Sequence, residues 1–314
     1  MPYIQIDGDH EATLMKTSTK WFPARSWILL ALGMFQLAAA CGTEKPLKLV
    51  SYNILNGMKL DESKGKAAFV SWLKSLDADI VGLQEAQELT QQSLEEMARR
   101  FGHPYAVLLK LDGYPTALTS KYPIVNVRKV TDNLHHGFIQ AEIQGFNVIV
   151  LHFSPHKYWK RREEVDLVLA TIGSEPQKLK RILMGDFNAE SPLDRDMYAD
   201  GRLAIARRRA EERYATHENL VDGKLDFDVI SRLLDSGFID VVHREQKGPM
   251  SSQPTRHFMG VEDRNVPRRV DYIFVSPDLE KSVVAARIVK DAFTDVHSDH
   301  YPVSLELSAT LRLK

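Results

Sequence analysis

The segment Arg181–Asn188 (RILMGDFN) is the stretch that decides the fold of this chain. An apolar, strand-like run leads into Asp186 and Asn188, which lie two residues apart and so share one face of an extended segment. Gly185, just before Asp186, allows the backbone to approach a ligand closely. A carboxylate and an amide at this spacing suit a bound water and a phosphoryl oxygen, although an Asx turn after a strand has the same pattern.

Five other strand-like runs carry or deliver polar groups of the same kind. They are Leu49–Asn53, Ile80–Glu85, Val148–His152, Val270–Phe274 with Asp271, and the run that opens at Ser298, Asp299 and His300. Burying such a group beside an apolar strand costs roughly 2–7 kcal/mol unless a partner satisfies it, so we expect these groups to meet. Converging carboxylates, amides and imidazoles suit a hard divalent cation beside a phosphate.

Each of these residues also has an ordinary structural explanation. Glu85 could cap the following helix, and Asn53 could be a turn residue. A single histidine on a strand is commonly a core residue, but His152 and His300 both stand at strand ends beside turns, which favours a functional role. Asp271 lies on a core-facing strand and needs a partner, for which His152 or a cation-bound water is available.

Composition limits the class of protein. The 314 residues are 44% hydrophobic and 26% charged, with a formal net charge of −1, which fits one large α/β domain or two small ones. The sequence pI of about 6.8 argues against a protein that grips nucleic acid with its whole surface, but a local basic rim would suffice for a nuclease. One cysteine, Cys41, excludes an intramolecular disulfide.

The N-terminal region has the pattern of an export signal. The apolar run Trp27–Ala40 is shorter than the roughly 20 residues of a membrane-spanning helix, follows basic residues and ends in small ones. Cys41 directly after them resembles the lipobox of a bacterial lipoprotein, which implies acylation of Cys41 and anchoring in the cell envelope. A plain signal peptide with a chance cysteine is the alternative. Acidic residues near Met1 suit a signal poorly, so we expect translation to start at Met15.

The organisation predicted for the chain is a signal region, a tether and one domain. Residues 1–41 form the N-terminal extension and lipoprotein-type signal peptide, residues 42–46 the tether, and residues 47–314 the domain. Hydrophobic periodicity predicts helices at 64–76, 90–101, 159–172, 203–215 and 227–236. It predicts strands at 47–53, 79–85, 105–111, 117–120, 124–130, 138–143, 148–153, 181–186, 239–243, 269–275, 284–290 and 301–307. This mixture of crossovers and meanders predicts a four-layer α/β sandwich, with two mixed β-sheets packed face to face and helices outside.

The order of these motifs resembles the endonuclease/exonuclease/phosphatase superfamily, the deoxyribonuclease I-like fold. The motifs are Asn53, Gln84-Glu85, His152, Gly185-Asp186-Phe187-Asn188, Asp271 and Ser298-Asp299-His300, and the resemblance runs from Leu47 to Leu307. It implies Mg²⁺, with Mn²⁺ as a substitute, held by Glu85, Asn53 and Asp299.

The resemblance also implies the roles of the catalytic residues. Asp186 would orient or deprotonate the attacking water, and Asn188 would bind the phosphoryl group. His152, supported by Asp271, would assist the leaving group, and His300 would act as general base or bind the transition state. In-line attack at phosphorus then depends on positioning and charge stabilisation.

The resemblance leaves the substrate open. We expect a phosphodiesterase that hydrolyses a P–O bond, with a phosphomonoesterase, a nuclease or an inactive surface binding protein as alternatives. Nucleic acid, a lipid headgroup and a sugar phosphate are all candidate substrates, and we expect a monomer. The segments GDFNAES and RRVDYIF differ from the patterns of inositol polyphosphate 5-phosphatases, and Tyr301 replaces the cysteine usual after SDH in exonuclease III-type enzymes.

Three further residues are candidates for the rim of the cleft. His136 opens a meander strand, Tyr114 lies in the loop LDGYPTALT, and Trp159 lies among basic residues where it could stack on a base. An ordinary turn explains His136 equally well, and the solvated start of a helix is the preferred explanation for Trp159. The arginines at 207–209 are expected on the surface of a helix.

Overall fold

A computed structural model describes residues 45–174, 180–259 and 266–309 of the chain. In chain order, its strands are β1 (Leu47–Asn53), β2 (Ile80–Gln84), β3 (Tyr105–Leu108), β4 (Ala117–Ser120), β5 (Val125–Val130), β6 (Gly137–Ile143), β7 (Phe146–His152), β8 (Lys180–Asp186), β9 (Leu220–Val221), β10 (Lys224–Leu225), β11 (Ile239–Asp240), β12 (Asp271–Val275), β13 (Val283–Ile288) and β14 (Val303–Leu307). Its α-helices are α1 (Leu55–Met58), α2 (Ala67–Leu76), α3 (Gln91–Arg100), α4 (Tyr158–Gly173), α5 (Arg202–Arg213), α6 (Asp228–Asp235), α7 (Val241–Glu245) and α8 (Thr294–His297).

Two six-stranded sheets form the centre of the domain. Their spatial orders are β13-β14-β1-β2-β4-β3 and β11-β12-β8-β7-β6-β5, while β9 and β10 form a separate ribbon. Apolar side chains of both sheets, such as Leu49 and Val150, share one buried cluster between them. Gly82 permits this close packing, because a Cβ there would lie 3.0 Å from both Cγ atoms of Val150, a stiff side chain of the other sheet.

Helices cover the outer faces of both sheets. Phe69 of α2 and Leu94 of α3 pack with residues of the first sheet, and Val165 of α4 and Val229 of α6 pack with residues of the second. The predicted four-layer α/β sandwich is therefore confirmed. In the part of the chain that the structure describes, no helix combines the length and apolarity needed to cross a membrane. Trp27–Ala40 and Cys41 lie outside the described residues.

The strand register brings the polar ends of the strands together. The parallel strands β1 and β2 pair Asn53 with Gln84, so that Glu85 follows directly beside Asn53. The parallel strands β7 and β8 pair His152 with Asp186, and antiparallel β12 pairs Asp271 with Asp186. The first sheet and the second sheet thus each contribute strand ends to one edge of the sandwich.

Two predictions about secondary structure need correction. The strand predicted at 239–243 is only two residues long, because Asp240 caps helix α7 by accepting hydrogen bonds from the backbone N–H groups of Val242 and His243. The strand predicted at 105–111 ends at Leu108. The ribbon of β9 and β10 was not predicted, since strands of two residues have no periodicity to detect.

Candidate active site

The polar strand ends line a cavity of about 430 Å³. Predicted residues among its lining are Glu85, His152, Asp186, Asn188, Asp299, His300, His136 and Tyr114. Asn53 and Asp271 support this set through hydrogen bonds to Asp186 and His300, respectively. Trp159 is not part of the lining; its indole N–H donates to Glu218 at 2.9 Å, at the exposed start of α4.

Asp186 is the residue at which the two sheets meet. Its Oδ2 accepts a hydrogen bond of 3.0 Å from Asn53 Nδ2, and its Oδ1 accepts one of 2.8 Å from the backbone N–H of Asn188. Asn53 Nδ2 also lies 3.2 Å from Glu85 Oε1, so one amide links the two carboxylates. Burial raises the pKa of the Asp186 carboxyl to about 7, although the positive charge of His300 acts in the opposite direction.

The backbone at two of these residues is in an uncommon conformation. Glu85 has φ +57° and Asn188 has φ +47°, both in the left-handed region that costs a residue with a Cβ about 1–2 kcal/mol. The backbone N–H of Asn56 donates to Glu85 Oε2 at 3.1 Å, and Asn188 Nδ2 donates to the Phe153 carbonyl at 3.0 Å. These bonds fix the direction of both side chains and offset the strain.

Gly185 has a different role from the one predicted for it. A Cβ at this position would lie 2.0 Å from the carbonyl oxygen of Leu151 on the neighbouring strand β7. The glycine therefore permits close pairing of β7 with β8, which is a structural requirement that the sequence did not reveal. That pairing is what places His152 beside Asp186.

His300 is held between carboxylates and one amide. Its Nδ1 lies 2.8 Å from Asp271 Oδ2, and its Nε2 lies 3.8 Å from Asp186 Oδ2. Burial lowers the pKa of the imidazole, but three nearby carboxylates, led by Asp271, outweigh burial and raise that pKa to about 10.

Gln253 touches the other nitrogen of His300. Its Nε2 lies 2.8 Å from His300 Nε2 and donates to Asp299 Oδ2 at 3.1 Å, while its Oε1 accepts from Arg268 Nε at 2.8 Å. The bonds to Arg268 and Asp299 fix the orientation of the amide, so its N–H faces the ring. A neutral His300 accepts this bond, whereas protonation at Nε2 requires the amide to move.

His152 has no carboxylate at its Nδ1. Its Nε2 lies 3.5 Å from Asp186 Oδ2, and its buried Nδ1 has no hydrogen-bond partner among the residues that the structure describes. The ring stacks on His136, with centroids 4.1 Å apart. Burial, aided by the charge of neighbouring imidazoles, lowers the pKa of His152 well below its ordinary value. The prediction that Asp271 supports His152 is wrong, because Asp271 contacts His300 instead.

The rim includes two of the three predicted residues. Tyr114 packs edge to face on His136, with centroids 5.3 Å apart, and 44% of the tyrosine is exposed. His135 continues this row of aromatic rings, and burial lowers the pKa of His136 to about 3. The imidazole rings on this side of the cavity are therefore neutral at physiological pH.

Several residues of the cavity were not predicted from the sequence. They are Arg207, Gln253, Arg268, His156 and His217. The surface position predicted for Arg207 is wrong, since only 8% of this residue is exposed and it pairs with buried Glu190 at 2.8 Å. Spacing could have revealed it: Leu203, Arg207 and Ala210 occupy the buried stripe of α5.

The oxygen-rich side of the cavity fits a hard divalent cation. Glu85, Asp186 and Asp299 supply carboxylates, which are the ligands that Mg²⁺ prefers. Burial and the charge of Asp299 raise the pKa of the Glu85 carboxyl, so bringing these acids together is unfavourable without a compensating positive charge. Ligand atoms of Asp186, Asp271 and His300 also lie within 4.8 Å of one another.

The fold and the site together define a hydrolase of phosphoester bonds. The chain belongs to the endonuclease/exonuclease/phosphatase family, whose model matches residues 50–300. It is 28% identical over 274 residues to an exodeoxyribonuclease of Bacillus subtilis (strain 168), covering 82% of this chain and 98% of the relative.

Solved structures share the fold at low sequence identity. An AP endonuclease from Archaeoglobus fulgidus is 19% identical with a TM-score of 0.60, covering 84% of this chain and all of that one (100%). A 3′-5′ exonuclease from Neisseria meningitidis is 19% identical with a TM-score of 0.61, covering 83% of this chain and 100% of that one. A 3′ phosphatase from Neisseria, bound to a product DNA hairpin, has a TM-score of 0.60 at 19% identity, covering 83% of this chain and 99% of that one. At this identity the structures support the fold alone.

Proposed function

We propose that this protein is a Mg²⁺-dependent phosphodiesterase that hydrolyses a nucleotide ester by in-line attack of water. The observation that carries the proposal is the position of Asp186, which is hydrogen-bonded to Asn53 and to Asn188 and lies between His152 and His300. The similarity to an exodeoxyribonuclease supports a nucleic acid as the substrate. Mn²⁺ is expected to substitute for Mg²⁺.

Glu85, Asn53 and Asp299 would hold the cation, which would polarise the phosphoryl oxygens when bound. Asp186 orients the attacking water, since its Oδ2 faces the cavity side shared with both histidines. Asn188 Nδ2 has a second hydrogen besides the one given to the Phe153 carbonyl, and this hydrogen is available for a phosphoryl oxygen.

The two histidines handle protons at different atoms. Asp271 anchors His300 at Nδ1, and the nearby carboxylates keep the ring protonated, so Nε2–H is the group that donates a hydrogen bond to the reacting phosphate and balances its charge once the Gln253 amide moves aside. Neutral His152 presents Nε2 beside Asp186 and orients the water together with it. These steps rely on positioning and charge stabilisation, which dominate phosphoryl transfer.

Hydrolysis of bis(4-nitrophenyl) phosphate tests the reaction. We expect turnover with Mg²⁺ or Mn²⁺, loss with EDTA, and a decrease in kcat of at least about 10³-fold in Asp186→Asn. The exposed acid Asp196 offers a matched control, and Asp196→Asn should retain wild-type activity. A wild type that hydrolyses neither this diester nor 4-nitrophenyl phosphate with either metal would favour the binding-protein alternative.

We also propose that the protein is exported and anchored through a lipid at Cys41. The support is the short apolar run with a basic flank and small residues before the cysteine. Labelling cells with an alkynyl fatty acid should mark the wild type and not Cys41→Ala. An unlabelled wild type with a free mature N-terminus would mean a plain signal peptide, and retention of Trp27–Ala40 would exclude export by this route.

A further inference from the structure

Two arginines line the cavity that holds the candidate active site. Arg207 comes from α5, and its Nη2 donates to Glu190 Oε1 at 2.8 Å, while its Nε is buried and finds no hydrogen-bond partner in the described part of the chain. Arg268 lies three residues before Asp271 and donates through Nε to Gln253 Oε1 at 2.8 Å. Neither arginine is needed to hold the cation or the water of the proposed reaction.

These side chains concentrate positive charge at one side of the cavity, where Arg207 is 8% exposed and Arg268 is partly buried. Arg161, 1% exposed, lies close enough to add its charge to the group. Glu190 is hydrogen-bonded to Arg207 and lies close enough to act on the charge of all three arginines. Burial and the charge of Arg207 lower the pKa of Arg268 to about 10, and the same two causes act on Arg161. Nearby carboxylates, led by Glu190, act in the opposite direction on Arg268 without cancelling these two effects, so a bound anion would further stabilise its positive charge.

The two arginines lie near the reacting groups but are not part of them. A single amide, that of Gln253, separates Arg268 Nε from His300 Nε2, with contacts of 2.8 Å at each end. Asp186 and Asp299 are also close enough to act on the charge of Arg268. A group bound by Arg268 would therefore be a near neighbour of the ester that is hydrolysed.

We propose that Arg207 and Arg268 form a subsite for a second phosphate group, next to the ester that is hydrolysed. The guanidinium group is planar and positively charged, and its paired N–H donors match the oxygen atoms of a phosphate. The subsite rests on the proposed function and specifies its substrate as a nucleotide ester with an adjacent phosphate. That phosphate is either the next diester of an oligonucleotide or a terminal monoester.

Binding of two product-like nucleotides in EDTA, where turnover is absent, tests the subsite. By isothermal titration calorimetry, thymidine 3′,5′-bisphosphate should bind the wild type at least about 10-fold more tightly than thymidine 5′-monophosphate, as expected for one charge-assisted phosphate contact. Arg268→Gln should remove most of this preference, because it deletes one of the two guanidinium groups of the subsite. The variant should fold, because the partner Gln253 is neutral and no buried carboxylate is left unpaired. Arg209 is an exposed arginine on α5, the helix of Arg207, and Arg209→Gln should keep the preference for the bisphosphate.

Arg207 needs a variant that protects the fold. Arg207→Gln alone leaves Glu190 buried and unpaired, so it is combined with Glu190→Gln. A melting temperature within a few degrees of the wild type verifies folding, and if this pair unfolds, Arg268→Gln decides the test. Equal binding of the two nucleotides to the wild type, or an unchanged preference in Arg268→Gln, would overturn the subsite.

Hydrolysis assays separate the subsite from the reaction. Thymidine 5′-(4-nitrophenyl phosphate) is compared with its 3′-phosphate and its 3′-methylphosphate derivatives in Mg²⁺. We expect a lower KM for both derivatives, and a larger effect of the 3′-phosphate would identify a terminal monoester as the natural group. If no probe is hydrolysed while the binding preference persists, the proposed reaction is wrong and the subsite stands. If all three are hydrolysed with the same KM, the subsite is wrong and the reaction stands.

Discussion

His152 and His300 both lie beside Asp186, yet their surroundings give them opposite charge properties. Each is almost fully buried, with 3% and 4% of the residue exposed, respectively. Burial lowers the pKa of both rings, but the carboxylates around His300 outweigh it and raise that pKa to about 10, whereas the imidazoles beside His152 add to the effect of burial. The partner of the ring, and not the extent of burial, decides the charge of a buried histidine here.

The difference divides the active site into two sides. The side of His300 contains Asp271 and Asp299, and its ring stays protonated at neutral pH, which suits stabilisation of negative charge on the reacting phosphate. The side of His152 continues through His136, whose pKa is lowered to about 3, and contains neutral rings suited to packing. The experiments below test whether the asymmetry between the two histidines is functional.

Replacing each histidine by asparagine should give the largest and most unequal effects. His300→Asn removes the charged ring that stabilises the reacting phosphate, so we expect kcat/KM for bis(4-nitrophenyl) phosphate to fall about 10³–10⁴-fold. His152→Asn should lower it by about 10–10²-fold, since this neutral ring only orients water. The exposed His257 provides a control, and His257→Asn should be as active as the wild type. Equal losses at His152 and His300 would show that the difference between their pKa values does not affect catalysis.

Removing Asp271, the carboxylate partner of His300, should lower the pKa of His300 toward that of His152. In Asp271→Asn the imidazole loses the nearest negative charge, so its pKa should fall, and kcat should decrease about 10²–10³-fold. NMR titration of the labelled imidazole measures the pKa directly. A pKa of His300 that stays near 10 in this variant would show that Asp271 does not set it.

Much of this site could be predicted from the sequence, because strand ends are fixed by hydrophobic runs. The meeting of Asn53 with Glu85 follows from two parallel strands, and that of His152 with Asp186 follows in the same way. The partner of Asp271 could not be predicted. It depends on the loop before β14, which brings His300 to Asp271.

The basic part of the cavity was hidden for a different reason. Arg207 lies in a run of three arginines and Arg268 in a pair, and charge runs usually face solvent. Their positions in the cavity depend on side-chain partners elsewhere in the chain, Glu190 for the first and Gln253 for the second. Periodicity identifies the face of a helix or strand, but it does not identify the partner of a charged side chain.

A carboxylate introduced beside His152 should make it more like His300. In His136→Glu the ring that stacks on His152 is replaced by a negative charge, so the pKa of His152 should rise by at least about one unit. His136→Gln has the same length without the charge and is the matched control. An equal pKa of His152 in the two variants would mean that burial alone controls it.

The smallest expected effect is the dependence of stability on pH that His136 contributes. Its pKa is about 3 in the folded protein and about 6.5 in the unfolded chain, so the unfolded state binds more protons between these values. Its contribution to stability therefore rises with pH through this window and is constant above about pH 6.5. The free energy of unfolding of the wild type minus that of His136→Gln should increase by at most about 1.4 kcal/mol per pH unit, as measured by urea denaturation between pH 4.5 and 7.5. A difference that does not change with pH would mean that His136 is protonated to the same extent in the folded and unfolded states. The lowered pKa of His136 would then be wrong.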